Sequence, residues 1–202
     1  MTDERPTSAD TRGVDYARRL QNLEQVWWKR LLDVQRPYRR NLAKQDLGRT
    51  LDVGAGLGRN LVNLPPGSVG VDHNAHSVSI GRSRGLDLVT IDEFPAKAAE
   101  SGPFDAILLS HVLEHMDEAS ADEIMRSYLP HLRPGGKVMM ICPQERGYAT
   151  DATHVRFVDL DGLRAHAARH GLTVTSAKSF PFPRPVGRVF PYNEFIVVAT
   201  KA

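Results

Sequence analysis

Short apolar runs alternate with amphipathic stretches along most of this chain. Residues 50–53, 68–72, 86–91, 104–110 and 137–142 are rich in apolar side chains, and each is followed by a turn or a polar helix start. That alternation predicts a parallel sheet covered by helices on both faces. The clearest helix opens on Ser120-Ala121-Asp122-Glu123, which reads as a capping box. It carries an apolar stripe of Ile124, Met125, Tyr128, Leu129 and Leu132 and stops at Pro134-Gly135-Gly136. A last helix spans residues 160–170 and is closed by Gly171, with His166 and His170 read as solvated positions. Two β-rich segments end the chain, 172–180 and 194–200. The proline-rich stretch between them is too short for a helical crossover, so this pair should be antiparallel.

The N-terminal part reads differently. Residues 1–13 are polar and carry both charge signs, as in a disordered tail. Over 14–47, Tyr16, Leu20, Leu23, Val26-Trp27 and Leu31 recur at helical spacing, and Pro37 divides that region into two helices. The expected organisation is therefore a tail at 1–13, a helical cap at 14–47 and one domain at 48–202.

Composition narrows the function classes. A hydrophobic fraction of 41% with 25% charged residues is ordinary for a soluble globular protein. The net charge of +2 makes the chain mildly basic, and its excess of arginine over lysine looks like a coding bias as much as a nucleic-acid footprint. The lone cysteine, Cys142, excludes a disulfide within the chain and sits in an apolar run, as a buried inert thiol would. The first residues are unlike a secretory leader, and no apolar run approaches the roughly 20 residues of a membrane span, so a cytoplasmic protein is expected.

The segment Thr50-Leu51-Asp52-Val53-Gly54-Ala55-Gly56-Leu57-Gly58-Arg59-Asn60 reads as a buried strand ending on an aspartate, a glycine-rich turn and a helix start. Glycines let a backbone approach a ligand where side chains would collide, and a helix start points free N–H groups at it. About twenty residues on, Asp72 ends a second strand, the position from which an acidic side chain grips a ribose. An adenosine-containing cofactor follows. Dinucleotide enzymes use G-x-G-x-x-G, whereas the glycines here fall at 54, 56 and 58.

With the terminal antiparallel pair, this pattern resembles the class I S-adenosylmethionine-dependent methyltransferases, from about residue 47 to the C-terminus. The resemblance continues through Val71-Asp72, the run from Phe104 to His115, and Leu132-Arg133-Pro134-Gly135-Gly136-Lys137. It implies a Rossmann-like fold of seven strands with a C-terminal antiparallel hairpin. It also implies cofactor contacts: Gly54, Ala55 and Gly56 under the ribose and methionine portion, and Asp52 near the cofactor's amino group. Asp72 would bind both ribose hydroxyls with His73 at the rim, Asp92 and Glu93 would meet the adenine, and Ser110 the methionine end.

His111-x-x-Glu114-His115 is also the inverted zinc-peptidase signature, but that reading needs a helix through all five residues and a further distant ligand. Here the motif starts where a buried strand ends. Residues at i, i+3 and i+4 still share a helix face. The quinone-biosynthesis relatives carry E-x-x-E-H and bind magnesium there. His111 departs from that pattern, and imidazole is a poor magnesium ligand. A metal set of His111, Glu114 and His115 stays open, with Asp151 and Glu145 as further oxygen donors, against a plain pocket-lining or helix-capping role for Glu114 and His115.

Methyl transfer from a sulfonium is an in-line displacement governed by alignment, and a hydroxyl acceptor also needs a base or a metal. His154 is the first candidate base and His115 the second, with Asp151 orienting His154 or binding metal. The rival reading of His154 is that it holds a loop. Tyr16, Arg19, Trp27, Trp28, Arg30, Tyr38 and Arg39 would form either a lid or a cover over the sheet edge. No Asn/Asp-Pro-Pro-aromatic element follows the fourth strand and no nucleic-acid module is evident, which favours a small-molecule hydroxyl. Similarity to actinobacterial sugar O-methyltransferases points to a sugar or mannoside-type glycoside. A quinone, phenol, amine or lipid precursor, or a non-catalytic cofactor-binding protein, are the alternatives.

Overall fold

The structure, a computed structural model, describes residues 35–202. The expected tail, the first cap helix and the tryptophan pair lie outside the described residues. The elements are α1 (Arg36–Lys44), β1 (Thr50–Val53), β2 (Val69–Asp72), α2 (Ala75–Ser83), β3 (Leu88–Thr90), α3 (Phe94–Ser101), β4 (Phe104–Ser110), α4 (Glu118–Tyr128), β5 (Leu132–Pro143), α5 (Glu145–Tyr148), α6 (Leu160–Arg169), β6 (Leu172–Phe180) and β7 (Glu194–Lys201). They form a seven-stranded sheet in the order β3-β2-β1-β4-β5-β7-β6. β1 to β5 run parallel, and β7 lies antiparallel between β5 and β6. The fold is the expected Rossmann-like one, including its antiparallel C-terminal hairpin.

Both faces of the central strands are buried, which is why those strands read as continuous apolar runs rather than alternating ones. Ile107, Leu109, Val138, Met140 and Val197 point to one face, where Phe94 of α3, Met125 of α4 and Leu163 of α6 cover them. Ala106, Leu108, Met139, Ile141 and Ile196 point to the other, covered by Leu42 of α1 and by Leu47. Leu42 and Leu47 thus belong to the same packing as the sheet, across the expected boundary at 47/48. Lys137 reinforces this by donating from Nζ to the carbonyls of Gln45 (2.7 Å) and Asp46 (2.9 Å). Pro37 sits in the first turn of α1, where its missing N–H costs nothing. Among the described residues no helix is long and apolar enough to cross a membrane.

Three local expectations change. α4 starts two residues before Ser120, because the Asp117 side chain caps it by accepting from the Ser120 N–H (2.8 Å). Pro134-Gly135-Gly136 does not end that helix. It lies within β5, at an irregularity where the pairing steps from Phe104↔Leu132 to Ala106↔Lys137. Finally, no α-helix follows the glycine turn. A single 3-10 turn, Leu61–Asn63, fills that place before Pro65-Pro66, and prolines that close oppose any continuation as a helix.

His166 and His170 are not solvated. His166 is buried; its Nδ1 lies 3.1 Å from Asp122 Oδ1 of α4 and accepts from Arg169 Nη2 (3.3 Å), while Asp122 Oδ1 accepts from His170 Nε2 (3.0 Å) and from Arg169 Nη2 (3.2 Å). Burial pushes Asp122 up, but the bonds from His170 and Arg169 outweigh it and hold the carboxyl at about 2. Burial, aided by the neighbouring His170, lowers His166 to about 4. A histidine whose folded value lies below its unfolded value near 6.5 stabilises the fold above pH 6.5 and loses that contribution as pH falls through 4. Unfolding by urea should therefore show about 1–2 kcal/mol less stability at pH 5 than at pH 7 from this residue. A His166→Gln variant should shrink the difference; an unchanged difference would refute the assignment.

Candidate active site

The strand order reverses between β1 and β4, so the crevice beyond the carboxyl ends of these strands is where an open sheet of this kind takes its ligands. The glycine turn leaves β1 at that point. Gly54 has φ +72°, and a Cβ there would lie 2.6 Å from Val112 Cγ2. Only glycine satisfies both the backbone angle and the contact. The Gly54 and Ala55 N–H groups donate to the Val71 carbonyl (2.9 and 3.1 Å), which clamps the turn against β2. Gly56 N donates to Asp72 Oδ2 (2.7 Å) and Asn74 N to Asp72 Oδ1 (2.8 Å). Asp72 is thereby rigid, and each of its oxygens retains a lone pair for a further donor. Asn74 caps α2 by accepting from the His76 and Ser77 N–H groups. His73 is exposed beside Asp72, with Nδ1 at 3.7 Å from Oδ1.

Asp52, at the end of β1, is buried, and neither of its oxygens has a hydrogen-bond partner among the described residues. Burial raises its carboxyl to about 7; the Asn60 side chain, close by but outside hydrogen-bond geometry, and the Arg59 guanidinium offset only part of that rise. The loop after β3 exposes Ile91 and Asp92. Glu93, expected beside the adenine, is engaged elsewhere. It accepts from Arg82 Nη2 (2.5 Å) and from the Thr90 N–H (2.8 Å), and these bonds hold its carboxyl at about 2.

β4 ends at Ser110, half-buried, and the next residue, His111, has φ +58°. Its Nδ1 lies 3.1 Å from Glu114 Oε1 and its Nε2 2.9 Å from Glu194 Oε1. Burial alone would lower the imidazole, but the carboxylates of Glu114 and Glu194 outweigh it and raise it to about 9. His111 is therefore an imidazolium between two carboxylates with both nitrogens in use, and it does not serve as a metal ligand. The expected magnesium set of His111, Glu114 and His115 does not fit this arrangement. Glu145 is committed as well, in a two-pronged pair with Arg184.

Glu114 and His115 belong to one 3-10 turn, Leu113–His115, and meet His154 from the loop after β5. The His115 and His154 rings lie 4.8 Å apart, and Tyr148 stacks on His154 at 5.2 Å. His154 donates from Nδ1 to the Tyr148 carbonyl (2.8 Å) and His115 from Nδ1 to the Thr153 carbonyl (3.2 Å). Each bond places the proton on Nδ1 and leaves Nε2 with its lone pair. The Asp151 carbonyl accepts from the His154 N–H (3.2 Å). The Asp151 side chain accepts from Thr153 N (3.0 Å) and Oγ1 (2.8 Å), and that hydroxyl sits 3.1 Å from His115 Nδ1. Cys142 is buried, and burial with the nearby Glu114 carboxylate pushes its thiol well up, as befits an inert side chain.

Sequence reasoning missed Glu194, Thr153 and the Tyr148 carbonyl. For Glu194 the one signal is a carboxylate opening the otherwise apolar strand Glu194-Phe195-Ile196-Val197-Val198. A hollow of about 320 Å³ at the opposite ends of the strands is no rival site. Its Arg133 and Asp105 pair with each other (2.6 Å), and its Lys137 is spent on backbone carbonyls.

Residues 26–177 match the family model described as a methyltransferase domain. The chain belongs to that family. Its sheet order and terminal hairpin place this methyltransferase in class I, the S-adenosylmethionine-dependent architecture. Among solved structures it is similar to the magnesium protoporphyrin IX methyltransferase of Synechocystis PCC 6803 with bound SAH, at 16% identity and TM-score 0.66, covering 96% of this chain and 97% of that one. It is also similar to a SAM-dependent methyltransferase from Archaeoglobus fulgidus (18%, TM-score 0.62, 85% and 99% covered). A third is the N-methyltransferase NodS from Bradyrhizobium japonicum WM9 (12%, TM-score 0.62, 83% and 96% covered). No curated protein matches the methyltransferase.

The state of Asp52 makes a prediction for the ligand-free enzyme. A carboxyl whose folded value is raised above an unfolded value near 3.9 subtracts stability as pH climbs from about 4 to 7, and the full penalty persists above. Asp52→Asn should therefore stabilise the ligand-free protein by about 1–3 kcal/mol more at pH 8 than at pH 5. Denaturant unfolding at both values measures this, and an equal effect at the two would contradict the buried, unpaired carboxylate.

Proposed function

We propose that this methyltransferase moves the methyl group of S-adenosylmethionine to a small-molecule hydroxyl, on a sugar or mannoside-type glycoside. The observation that carries the reading is the pair of imidazoles, His115 and His154, with Nδ1 fixed on backbone carbonyls and Nε2 left as acceptor. A neutral amine already carries its nucleophilic lone pair, so positioning suffices for it. An aliphatic hydroxyl becomes a competent nucleophile only as its proton leaves.

The donor would lie along the carboxyl ends of β1, β2 and β4. The turn through Gly54, Ala55 and Gly56 gives the backbone close access to it. Asp72, rigid on two backbone amides, would accept from the two ribose hydroxyls, with His73 at the rim and Asp92 toward the adenine. The cofactor's ammonium suits Asp52, whose two buried oxygens have no hydrogen-bond partner among the described residues. The backbone at Ser110 would meet the methionine end. The acceptor hydroxyl would then approach the sulfonium methyl in line, and His154 Nε2 would take its proton, with His115 beside it. Resemblance to sugar O-methyltransferases supports the glycoside as acceptor, and the cytoplasm, where S-adenosylmethionine is made, as the place of action.

Calorimetric titration with S-adenosylhomocysteine tests the donor site. Wild type should bind it, and Asp72→Ala should weaken binding tenfold or more, about 1.4 kcal/mol. Equal affinity of the two proteins would sink the donor assignment. With an acceptor found from a panel of glycosides, phenols and amines, His154→Ala should lower kcat about 10²–10⁴-fold at unchanged donor affinity. Full turnover in that variant, or activity on amines alone, would overturn the hydroxyl reading.

A further inference from the structure

Glu114 has one oxygen left over. Its Oε1 meets His111, whereas Oε2 is buried without a hydrogen-bond partner among the described residues. An unmet buried polar atom costs about 1–3 kcal/mol, and more when it carries charge. The neighbours are His115 and His154, and one donor atom from each of the three residues lies within 4.8 Å of the others. Since each Nδ1 is spent on a backbone carbonyl, the two imidazoles offer Nε2.

We infer that Glu114, His115 and His154 form a site for a divalent d-block cation such as zinc. Two imidazole nitrogens and one carboxylate oxygen suit zinc, cobalt or iron, whereas magnesium requires oxygen ligands almost throughout. The outer contacts are those such a site needs. Both histidines are oriented through Nδ1 by carbonyls, and the carboxylate is itself hydrogen-bonded through its other oxygen. Ligand bonds of about 2.0–2.2 Å hold neighbouring donors roughly 3–4 Å apart, so side-chain adjustments on the order of 1 Å close the group on one ion. His115 and His154 are half-buried, so a further coordination position opens toward the crevice.

The second such group supplies a contrast. Asp122, His166 and His170 also gather three donors, but there the Asp122 carboxylate already accepts from His170 and from the Arg169 guanidinium, which also donates to His166 Nδ1. A cation already sits where an ion would go. At Glu114 no guanidinium among the described residues bonds the carboxylate; Arg156 directs its donors to the Met116 and Leu113 carbonyls.

The inference rests on the proposed function only in placing this cluster toward the acceptor. A cation there would act as a Lewis acid that lowers the pKa of a hydroxyl beside it; the two imidazoles would then be its ligands, and the hydroxyl's proton would pass to solvent in the crevice instead of directly to His154.

The test uses the full chain, free of tags and stripped with chelator, titrated with Zn²⁺, Co²⁺ and Mg²⁺ by calorimetry while the visible d–d absorption of cobalt is followed. One Zn²⁺ or Co²⁺ per chain should bind, with cobalt bands of a nitrogen-containing site, and Mg²⁺ should bind about 100-fold more weakly or worse. His154→Ala and Glu114→Gln should each lower Co²⁺ affinity about 100-fold. His154 lies on a loop, so its variant answers even if the Glu114 change unfolds the protein. Absence of stoichiometric binding by wild type, magnesium bound as tightly as zinc, or undiminished cobalt binding by His154→Ala each overturns the site. Chelator-resistant, His154-dependent methyl transfer without ion binding would remove the ion and leave the proposed function standing. Ion binding without transfer to any hydroxyl would do the reverse.

Discussion

A half-buried imidazolium between two carboxylates organises the end of the sheet that carries the candidate site. His111 leaves β4 with a left-handed backbone and joins Glu114, three residues on, to Glu194 at the start of β7. Removing one partner of such a bridge strands a buried charge, at a cost of about 3–5 kcal/mol. The bridge fixes Glu114 Oε1, and therefore sets how Oε2 presents itself to His115 and His154. It also pins the antiparallel strand to the parallel part of the sheet, so the hairpin belongs to the site as well as to the fold.

The two-faced burial of the central strands supplies the rigid base. Ile107 and Leu109 on one face and Ala106 and Leu108 on the other leave β4 no freedom of register, since a one-residue slip would exchange its faces. The carboxyl ends of β1, β2 and β4 are thereby held in fixed relation. Asp52, Asp72 and His111 stand at those ends, while His154 comes from a loop.

The strands were legible because their apolar runs have no helical competitor of that length, and the glycine turn because few sequences need that backbone. What escaped depended on partners far along the chain. The readings of His111 as a ligand and of His166 and His170 as solvated failed for one reason. Their carboxylate partners, Glu194 and Asp122, lie 83 and more than 40 residues away, and a single sequence carries no mark of such pairings. The helix start at α4 was displaced because Ser120-x-x-Glu123 and Asp117-x-x-Ser120 are both plausible local caps. Burial of Ala121, Met125 and Tyr128 against the sheet fits the second. Glu93, expected at the adenine, pairs instead with Arg82 from the helix before it in the chain.

If the cofactor's ammonium meets Asp52 as proposed, that residue ties the abundance of the protein to its metabolic supply. A carboxylate buried without partners weakens the empty fold, and a ligand bringing a positive group to it restores what the empty fold lacks. Stability then rises as RT ln(1 + [L]/Kd) with the free ligand concentration. A cell short of that ligand would hold a larger unfolded fraction, exposed to proteolysis, so turnover of the enzyme would follow the pool it draws on.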